Sequence, residues 1–349
     1  MPTLDAIVCA ASNAGTSDVL IAPNVPIRFR IDGSLSDATD EILTPEDTAA
    51  LAHEACGREF DKLMQGVEID LAETFSNGVR RRINAYLSMG RCCMAIRLLA
   101  SSIPDLNKLG VPPVVHEFQN YQRGIVIVTG ETGSGKSTTL AAIIDRINHT
   151  RHDHIVTLED PVEYVYEPDL CSIDQREIGR DTASFAEGLR AVLRQDPDVI
   201  LVGEMRDFST IETALTAAET GHLVFGTLHT QSAPDSIDRL VDVFPEERQQ
   251  QVRMQLSMTL KAVVSQQLIP KRMGGRVLAA EVMIVNPAIK NLIREGKTPQ
   301  IANSLATSAD LGSITMDAAL MKLARSRTIS AAAAIAAAHD PDQMRKAVR

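Results

Sequence analysis

A chain of 349 residues is longer than one ordinary hydrophobic core and suits two domains. Its 44% hydrophobic and 23% charged residues are typical of a globular protein, which argues against disordered and fibrous classes. The net charge of −10 disfavours a general affinity for nucleic acid, and no stretch has the length and apolarity of a membrane span. We therefore expect a cytoplasmic protein that neither binds nucleic acid nor inserts into a membrane.

The first hundred residues predict a small α+β domain. Residues 26–33 (PIRFRIDG) alternate apolar and basic side chains, which is typical of a half-buried strand, and they end in an Asp-Gly hairpin turn. Residues 44–57 predict a helix, with a threonine as N-cap, a proline at the first helical position and a glycine as its stop. The segments 78–87 and 94–99 predict two more strands.

Residues 101–123 predict a linker, because they contain three prolines and a glycine with little periodicity. The first domain would then span residues 1–100 and the second residues 124–349. In the second domain, short and nearly all-apolar runs alternate with helical segments, which predicts a parallel sheet covered by helices. These runs are residues 125–129, 155–158, 199–203 and 223–227.

The chain after residue 245 predicts a mostly helical region. Residues 246–268 carry apolar side chains at helical spacing and predict one amphipathic helix. Residues 277–285 predict a single late strand, and the remainder predicts helices beside the sheet.

A phosphate-binding pattern opens the second domain. Residues 130–137 (GETGSGKS) fit G-x-x-x-x-G-K-[ST] between a predicted strand and a predicted helix. Glycines let backbone N–H groups point at phosphate oxygens beside the positive end of the helix. We expect Lys136 to reach the β- and γ-phosphates of ATP, and Ser137 to ligate Mg²⁺. The expected nucleotide-binding residues are Gly130, Glu131, Thr132, Gly133, Ser134, Gly135, Lys136, Ser137 and Thr138.

Two carboxylates stand where hydrolysis would need them. Glu204 follows the apolar run VILV at the Walker B position, where it suits the attacking water or, through water, the Mg²⁺. Glu163 follows another strand, and Pro161 forms a turn that would aim Glu163 back across the sheet edge. Solvated acids at strand ends are the alternative for both, and which of the two acts as base stays open.

Histidines and arginines complete the candidate set. His222 and His229 flank a predicted strand, and His229 suits a γ-phosphate sensor if that strand neighbours the phosphate-loop strand. A surface histidine with one hydrogen bond is the alternative. Arg80, Arg82 and Arg97 lie on predicted strands of the first domain. Arginines in such positions are suited to stabilising the charge of a γ-phosphate bound to another domain or subunit. A solvated face of the sheet accounts for arginines there equally well.

Together these motifs resemble the secretion ATPases, and within them the PilT-type retraction motors of type IV pili. The resemblance covers most of residues 124–319, and the first domain matches more weakly. The stretches that carry it are residues 130–137, TLEDPVE at 157–163, ILVGEMRD at 200–207, GHLVFGTLHT at 221–230 and PAIKNLIREGK at 287–297.

The resemblance implies a PAS-like first domain, a RecA-like ATPase domain and a homohexameric ring with ATP between the domains. It implies catalytic roles for Glu163, Glu204 and the histidines, and phosphate contacts for Arg80, Arg82 and Arg97 when the domains close. It implies a location at the inner-membrane base of the pilus, with a platform protein as partner and a second retraction ATPase as an optional one. Glu131 departs from the family by replacing a common proline.

Three other functions remain open at this point. An accessory ring would bind ATP with little hydrolysis, and Glu131 beside the phosphates leaves room for it. A small-molecule kinase would need an arginine-rich lid, which the sequence lacks. A DNA motor would need a basic surface, which the acidic balance disfavours.

Overall fold

The computed structural model describes residues 2–31, 34–75, 80–99 and 102–348. The chain divides into two compact units: Met1–Ser102 with Pro161–Val165, and Ile103–Asp160 with Tyr166–Arg349. Most of the expected linker therefore clusters with the second unit, where it forms the 3₁₀ segments Leu106–Lys108 and Pro113–Asn120. None of the helices within these described ranges is long and apolar enough to cross a bilayer.

The first unit is built on a six-stranded antiparallel sheet. Its elements in chain order are α1 (Leu4–Asn13), β1 (Asp18–Ile21), β2 (Pro26–Ile31), β3 (Ser34–Ile42), α2 (Pro45–Cys56), a 3₁₀ turn (Gly57–Glu59), α3 (Phe60–Met64), β4 (Ile69–Thr74), β5 (Arg80–Ser88) and β6 (Arg91–Leu98). Across the sheet the order is β3, β2, β1, β6, β5, β4. The helices and one face of the sheet share a core in which the register partners Ile83 and Ile96 are fully buried.

The predicted strands and helix of this unit are confirmed as β2, α2, β5 and β6. Helix α2 begins at a reciprocal cap: the Asp47 backbone N–H donates to the Thr44 hydroxyl, and the Thr44 N–H donates to the Asp47 carboxylate. The predicted hairpin turn at Asp32-Gly33 and the first two residues of the strand predicted over 78–87 lie outside the described residues.

The second unit is built on a seven-stranded mixed sheet. Its elements are β7 (Gly124–Thr129), α4 (Lys136–Asn148), β8 (His154–Glu159), β9 (Ser172–Glu177), α5 (Phe185–Val192), β10 (Val199–Val202), α6 (Phe208–Glu219), β11 (Leu223–Leu228), α7 (Ala233–Asp242), α8 (Glu246–Thr259), β12 (Leu260–Pro270), β13 (Arg276–Ile284), α9 (Pro287–Arg294), a 3₁₀ turn (Thr298–Gln300), α10 (Ile301–Ala306), a 3₁₀ turn (Ala309–Leu311), α11 (Met316–Arg325), α12 (Ala331–Ala337) and α13 (Pro341–Ala347). The order across the sheet is β13, β12, β7, β11, β10, β8, β9.

All neighbouring strands of this sheet run parallel except β13, which is antiparallel to β12. The four predicted apolar strands are confirmed as β7, β8, β10 and β11. Every residue of β7, β10 and β11 is buried, as a strand covered on both faces requires.

The helix predicted over residues 246–268 is wrong beyond Thr259, because the chain turns there into strand β12. Val263 pairs with Ile127 of β7 on one side and with Met283 of β13 on the other. A strand that is buried on both faces carries an almost continuous apolar run, which fits helical spacing as well as strand spacing. The late strand predicted at 277–285 is confirmed as β13.

Candidate functional site

The turn between β7 and α4 follows a path that glycine permits. Gly130, Gly133 and Gly135 have φ angles of +140°, +80° and +93°, in the region that residues with a Cβ atom rarely adopt. A Cβ atom on Gly130 would lie 2.4 Å from the Gln266 carbonyl oxygen of β12. The loop therefore places bare backbone at the N-terminus of α4, which is a favourable site for an anion.

The polar groups of this loop fit a nucleotide phosphate. Lys136 is buried at the start of α4, and its Nζ donates to the carbonyl oxygens of Gly130 at 2.7 Å and Glu131 at 3.0 Å. Within the part of the chain that the structure describes, the Ser134 hydroxyl is buried without a hydrogen-bond partner. An ammonium and an unsatisfied hydroxyl in a cradle of backbone N–H groups are donors that phosphate oxygens would satisfy.

The other polar side chains of the loop face outward. Ser137 is exposed in the first turn of α4, and Thr138 follows it. The exposed Glu131 carboxylate accepts a hydrogen bond from Gln231 Nε2 at 3.1 Å. The acid that departs from the family pattern is therefore held against the loop after β11.

Glu204 and His229 meet at the carboxyl edge of the sheet. Strands β10 and β11 are parallel neighbours, so the residues that follow them share this edge. His229 Nε2 lies 3.1 Å from Glu204 Oε1, and the Glu204 side chain is only 18% exposed. Arg206 Nε contacts the same carboxylate oxygen. Glu204 thus accepts a hydrogen bond from Arg206 and lies within ion-pair distance of His229.

A cavity of about 530 Å³ connects this pair to the phosphate loop. Its lining residues are Thr132, Glu204, Met205, Arg206, Leu228, His229, Thr230 and Arg239. Behind it, the Thr129 hydroxyl at the end of β7 lies 2.7 Å from the Thr230 hydroxyl, which lies 2.7 Å from the Ser236 hydroxyl of α7. These hydroxyls tie the phosphate-loop strand to the residue that follows His229.

His222 does not join this cavity. It precedes β11, whose six residues separate it from His229 by roughly 20 Å at the rise of an extended strand. His222 Nδ1 lies 2.9 Å from the Ala217 carbonyl oxygen and 3.2 Å from the Thr220 hydroxyl. Two histidines at opposite ends of one strand point to opposite edges of the sheet, so they cannot act on one phosphate in the same subunit.

The acidic segment after β8 is divided between the units. Glu159 Oε1 accepts hydrogen bonds from the Thr157 hydroxyl at 2.6 Å and from Gln175 Nε2 at 3.2 Å, all within the second unit. Glu163 lies in Pro161–Val165, which clusters with the first unit. Within that unit, Arg80 Nε donates to the Val162 carbonyl oxygen at 2.8 Å.

Arg82 and Arg97 lie side by side on the sheet of the first unit. They are register partners on β5 and β6, and their side chains are 44% and 67% exposed. Arg97 Nε lies 2.9 Å from Asp18 Oδ1, and Arg82 Nη2 lies 3.5 Å from Asp70 Oδ2. Arg80 shares their face of β5, because alternate residues of a strand point the same way.

Two arginines of the cavity were not among the predicted site residues. Arg206 was detectable in the sequence, since it follows Glu204 closely in the GEMRD stretch. Arg239 gave no signal, because only the packing of α7 beside the sheet brings it to the cavity. Over the described ranges, the exposed Arg239 guanidinium forms no hydrogen bond or ion pair, so it is available to an anion in the cavity.

The chain is similar to known proteins over nearly its whole length. The family described as type II/IV secretion system protein matches residues 1–273. The type IV pilus retraction ATPase PilT of Pseudomonas aeruginosa is 44% identical over 328 residues, which cover 93% of this chain and 94% of that protein. A twitching motility protein of Neisseria gonorrhoeae is 48% identical over 282 residues, which cover 80% of this chain and 75% of that protein.

A solved structure has the same fold. The crystal structure of the pilus retraction motor PilT with bound ADP matches with a TM-score of 0.92 at 45% sequence identity. The match covers 98% of this chain and 99% of that one, so both units have counterparts in it.

Proposed function

Because the chain belongs to the type II/IV secretion system protein family, we propose that it is an ATPase motor that powers the retraction of type IV pili. It hydrolyses ATP to ADP and phosphate, and the free energy removes pilin subunits from the pilus. The observation that carries the proposal is the Glu204–His229 pair, 3.1 Å apart in a cavity that the phosphate loop also lines.

In this proposal the loop holds the phosphates of ATP. Lys136 exchanges its contacts with the Gly130 and Glu131 carbonyl oxygens for β- and γ-phosphate oxygens. Mg²⁺, when bound, neutralises charge that develops on the phosphates. Ser137 would hold it directly, and Glu204 would hold it through water.

Glu204 and His229 would orient the attacking water and sense the γ-phosphate. Arg206 is 76% exposed, so its side chain can leave Glu204 at little cost. Arg206 or Arg239 would then stabilise the phosphate charge, while His229 keeps the carboxylate oriented.

The first unit would supply the other carboxylate and the arginines that act on the nucleotide. The hydrogen bond from Arg80 to Val162 ties an arginine to the backbone beside Glu163 within that unit. Glu163, Arg80, Arg82 and Arg97 would therefore move together when the domains close on the nucleotide. His222 would serve a different edge of the sheet, and its contribution in a ring would be to a neighbouring chain.

The wider architecture of the proposal follows the family. It comprises a PAS-like domain at residues 1–100, a linker at 101–123 and a RecA-like domain at 124–349, assembled as a homohexamer. The ring would work at the cytoplasmic side of the pilus base on an inner-membrane platform protein, with a second retraction ATPase as an optional partner.

Phosphate release in the presence of Mg²⁺ tests the chemistry. We expect Glu204→Gln to lower kcat by about 10²- to 10⁴-fold while nucleotide still binds, because the phosphate loop is unchanged and the carboxylate that orients the attacking water is lost. Lys136→Ala should lose nucleotide binding. Glu212→Gln is the matched control, since Glu212 of α6 pairs with Arg248 of α8 and does not line the cavity, and its rate should stay within about twofold of wild type.

The mass of each assembly is measured in parallel by native mass spectrometry. Wild-type rings that bind ATP but release no phosphate would overturn the proposal and favour an accessory ring. A Glu204→Gln chain that turns over at the wild-type rate would remove Glu204 from the mechanism.

A further inference from the structure

The C-terminal residues form one wall of a second cavity beside the phosphate loop. This cavity of about 420 Å³ is lined by residues 130–134 of the loop, by residues 266–268 of β12 and by residues 336–339 at the end of α12. Residues 336–339, called here the C-terminal wall, lie beyond residue 273, where the family match ends. The alanine-rich tail therefore reaches the loop that would hold phosphate.

Asp317 of α11 anchors the C-terminal wall through its backbone. The Asp317 carboxylate accepts hydrogen bonds from the His339 N–H at 2.7 Å and the Asp340 N–H at 3.0 Å. Gln267 Nε2 donates to the Ala337 carbonyl oxygen at 3.4 Å. Hydrogen bonds to a charged acceptor are stronger than neutral ones, so Asp317 provides the main polar attachment.

A second carboxylate connects the wall to the catalytic edge of the sheet. Glu281 of β13 is buried, and it accepts hydrogen bonds from the Ala233 N–H at 2.9 Å and the Met316 N–H at 3.3 Å. These N–H groups belong to the first residues of α7 and α11. His339 Nδ1 lies 3.9 Å from Glu281 Oε2. The buried Glu281 side chain thus contacts both the C-terminal wall and helix α7, which follows the loop that carries His229.

Few apolar side chains of the tail are fully buried. Helices α12 and α13 each have seven residues, and they contribute Ala334 and Met344 to a small buried cluster. The remaining buried members of this cluster are Ile269, Ala279, Met316, Leu320 and Ile329. The tail residues that pack against the same cluster while partly exposed are Ala333, Ile335, Ala337, Ala338 and Val348. Segments with few fully buried apolar side chains open locally at a low free-energy cost, so the polar anchors add to this packing in keeping the wall in place.

We propose that Asp317 and His339 are positioning residues that hold the C-terminal wall against the phosphate loop and thereby set the affinity for nucleotide. The inference rests on the proposed function, because it assumes that nucleotide binds at this loop. Molecules whose wall is detached do not bind nucleotide well. The apparent Kd for nucleotide therefore rises as the fraction of molecules with the wall in place falls. The wall acts on binding, so it changes KM rather than kcat.

Fluorescent mant-ADP binding tests the inference. We expect Asp317→Ala to raise the Kd by about fivefold to tenfold, because two charge-assisted hydrogen bonds are lost. Asp317→Asn should lie between Asp317→Ala and wild type, since its amide oxygen still accepts one hydrogen bond. The KM for ATP should rise in parallel, with kcat within about twofold of wild type.

Asp342→Asn is the matched control on the same tail. Asp342 is 82% exposed and pairs with Arg345 on α13, away from the residues that line the cavity. Its Kd for mant-ADP should equal that of wild type. An unchanged Kd in a folded Asp317→Ala chain, or a fall in kcat at constant KM, would overturn the inference.

Hydrogen exchange of the unmutated chain provides a second test that needs no variant to fold. If the wall raises nucleotide affinity, bound ADP must stabilise the wall by the same factor. Saturating ADP should therefore slow exchange of the His339 and Asp340 amides, and equal exchange with and without ADP would contradict the inference. A wild-type chain that fails to bind mant-ADP would instead contradict the proposed function.

Discussion

Gly130 illustrates how single residues shape the phosphate loop. Its φ of +140° suits glycine, and a Cβ atom there would lie 2.4 Å from the Gln266 carbonyl oxygen. The backbone of β12 therefore leaves no room for a side chain at position 130 of the loop. The loop was predictable from sequence, because its glycines, lysine and serine are consecutive and local.

We expect Gly130→Ala to lower the free energy of unfolding by about 3 kcal/mol, from backbone strain and overpacking together. Gly221→Ala is the control, because Gly221 has a φ of +113° and a Cβ atom there would meet none of the described residues within 4 Å. It should lose only about 1–2 kcal/mol, from strain alone. Urea unfolding measures the free energy of unfolding of both variants. Equal losses of stability would show that the close approach of a Cβ atom at position 130 to Gln266 adds no cost.

Residues that tertiary packing gathers were less predictable than the loop. That Glu204 and His229 lie at one edge could be predicted, because each follows an apolar strand, and parallel strands bring such positions together. Arg239 could not be found, since its place depends on how α7 packs. His222 and His229 were predicted to flank a strand, and β11 separates them as predicted. Their catalytic roles stay a prediction.

At the scale of elements, the start of a capped helix was easier to predict from the sequence than the start of a buried strand. The start of α2 was predictable, because Thr44 and Asp47 supply both halves of a cap within one turn. The change from α8 to β12 was not, because no proline or glycine marks the boundary at Thr259. Pairing with β7 and β13 decides that residues 260–270 are a strand, and these partners are distant in sequence.

The cap of α2 makes a prediction about pH. The backbone N–H and then the hydroxyl of Thr44 donate to Asp47 and hold the pKa of that carboxyl below its usual value. The stabilisation is therefore present above the unfolded-state pKa, roughly 3.9, and is lost as pH falls through the lower folded-state pKa. Asp47→Asn should be less stable than wild type at neutral pH, and the difference should shrink as the solution is acidified.

Urea unfolding between about pH 3 and about pH 7 measures this difference. Glu46→Gln is the control, because it removes a carboxylate from the same helical turn without touching the Thr44 cap. A difference for Asp47→Asn that does not depend on pH would contradict the role of the Asp47 carboxylate in the cap.

At the scale of the whole molecule, the sequence predicted two folded units and an α/β fold, and the sheet of the second unit is mixed. Which unit each residue joins was harder to predict. Pro161–Val165 clusters with the first unit although it follows a strand of the second, so Glu163 shares a unit with Arg80. Local patterns could not reveal this, because it depends on contacts between segments that are distant in sequence.

Retraction of labelled pili in living cells tests most directly whether hydrolysis at Glu204 powers retraction. The chromosomal copy is replaced by Glu204→Gln or by the control Glu212→Gln, and pili are followed by fluorescence microscopy. We expect cells with Glu204→Gln to extend pili and to lose retraction driven by this motor, while Glu212→Gln cells retract them normally. Retraction at the wild-type rate in Glu204→Gln cells, with the variant chain present at normal levels, would contradict the proposed motor.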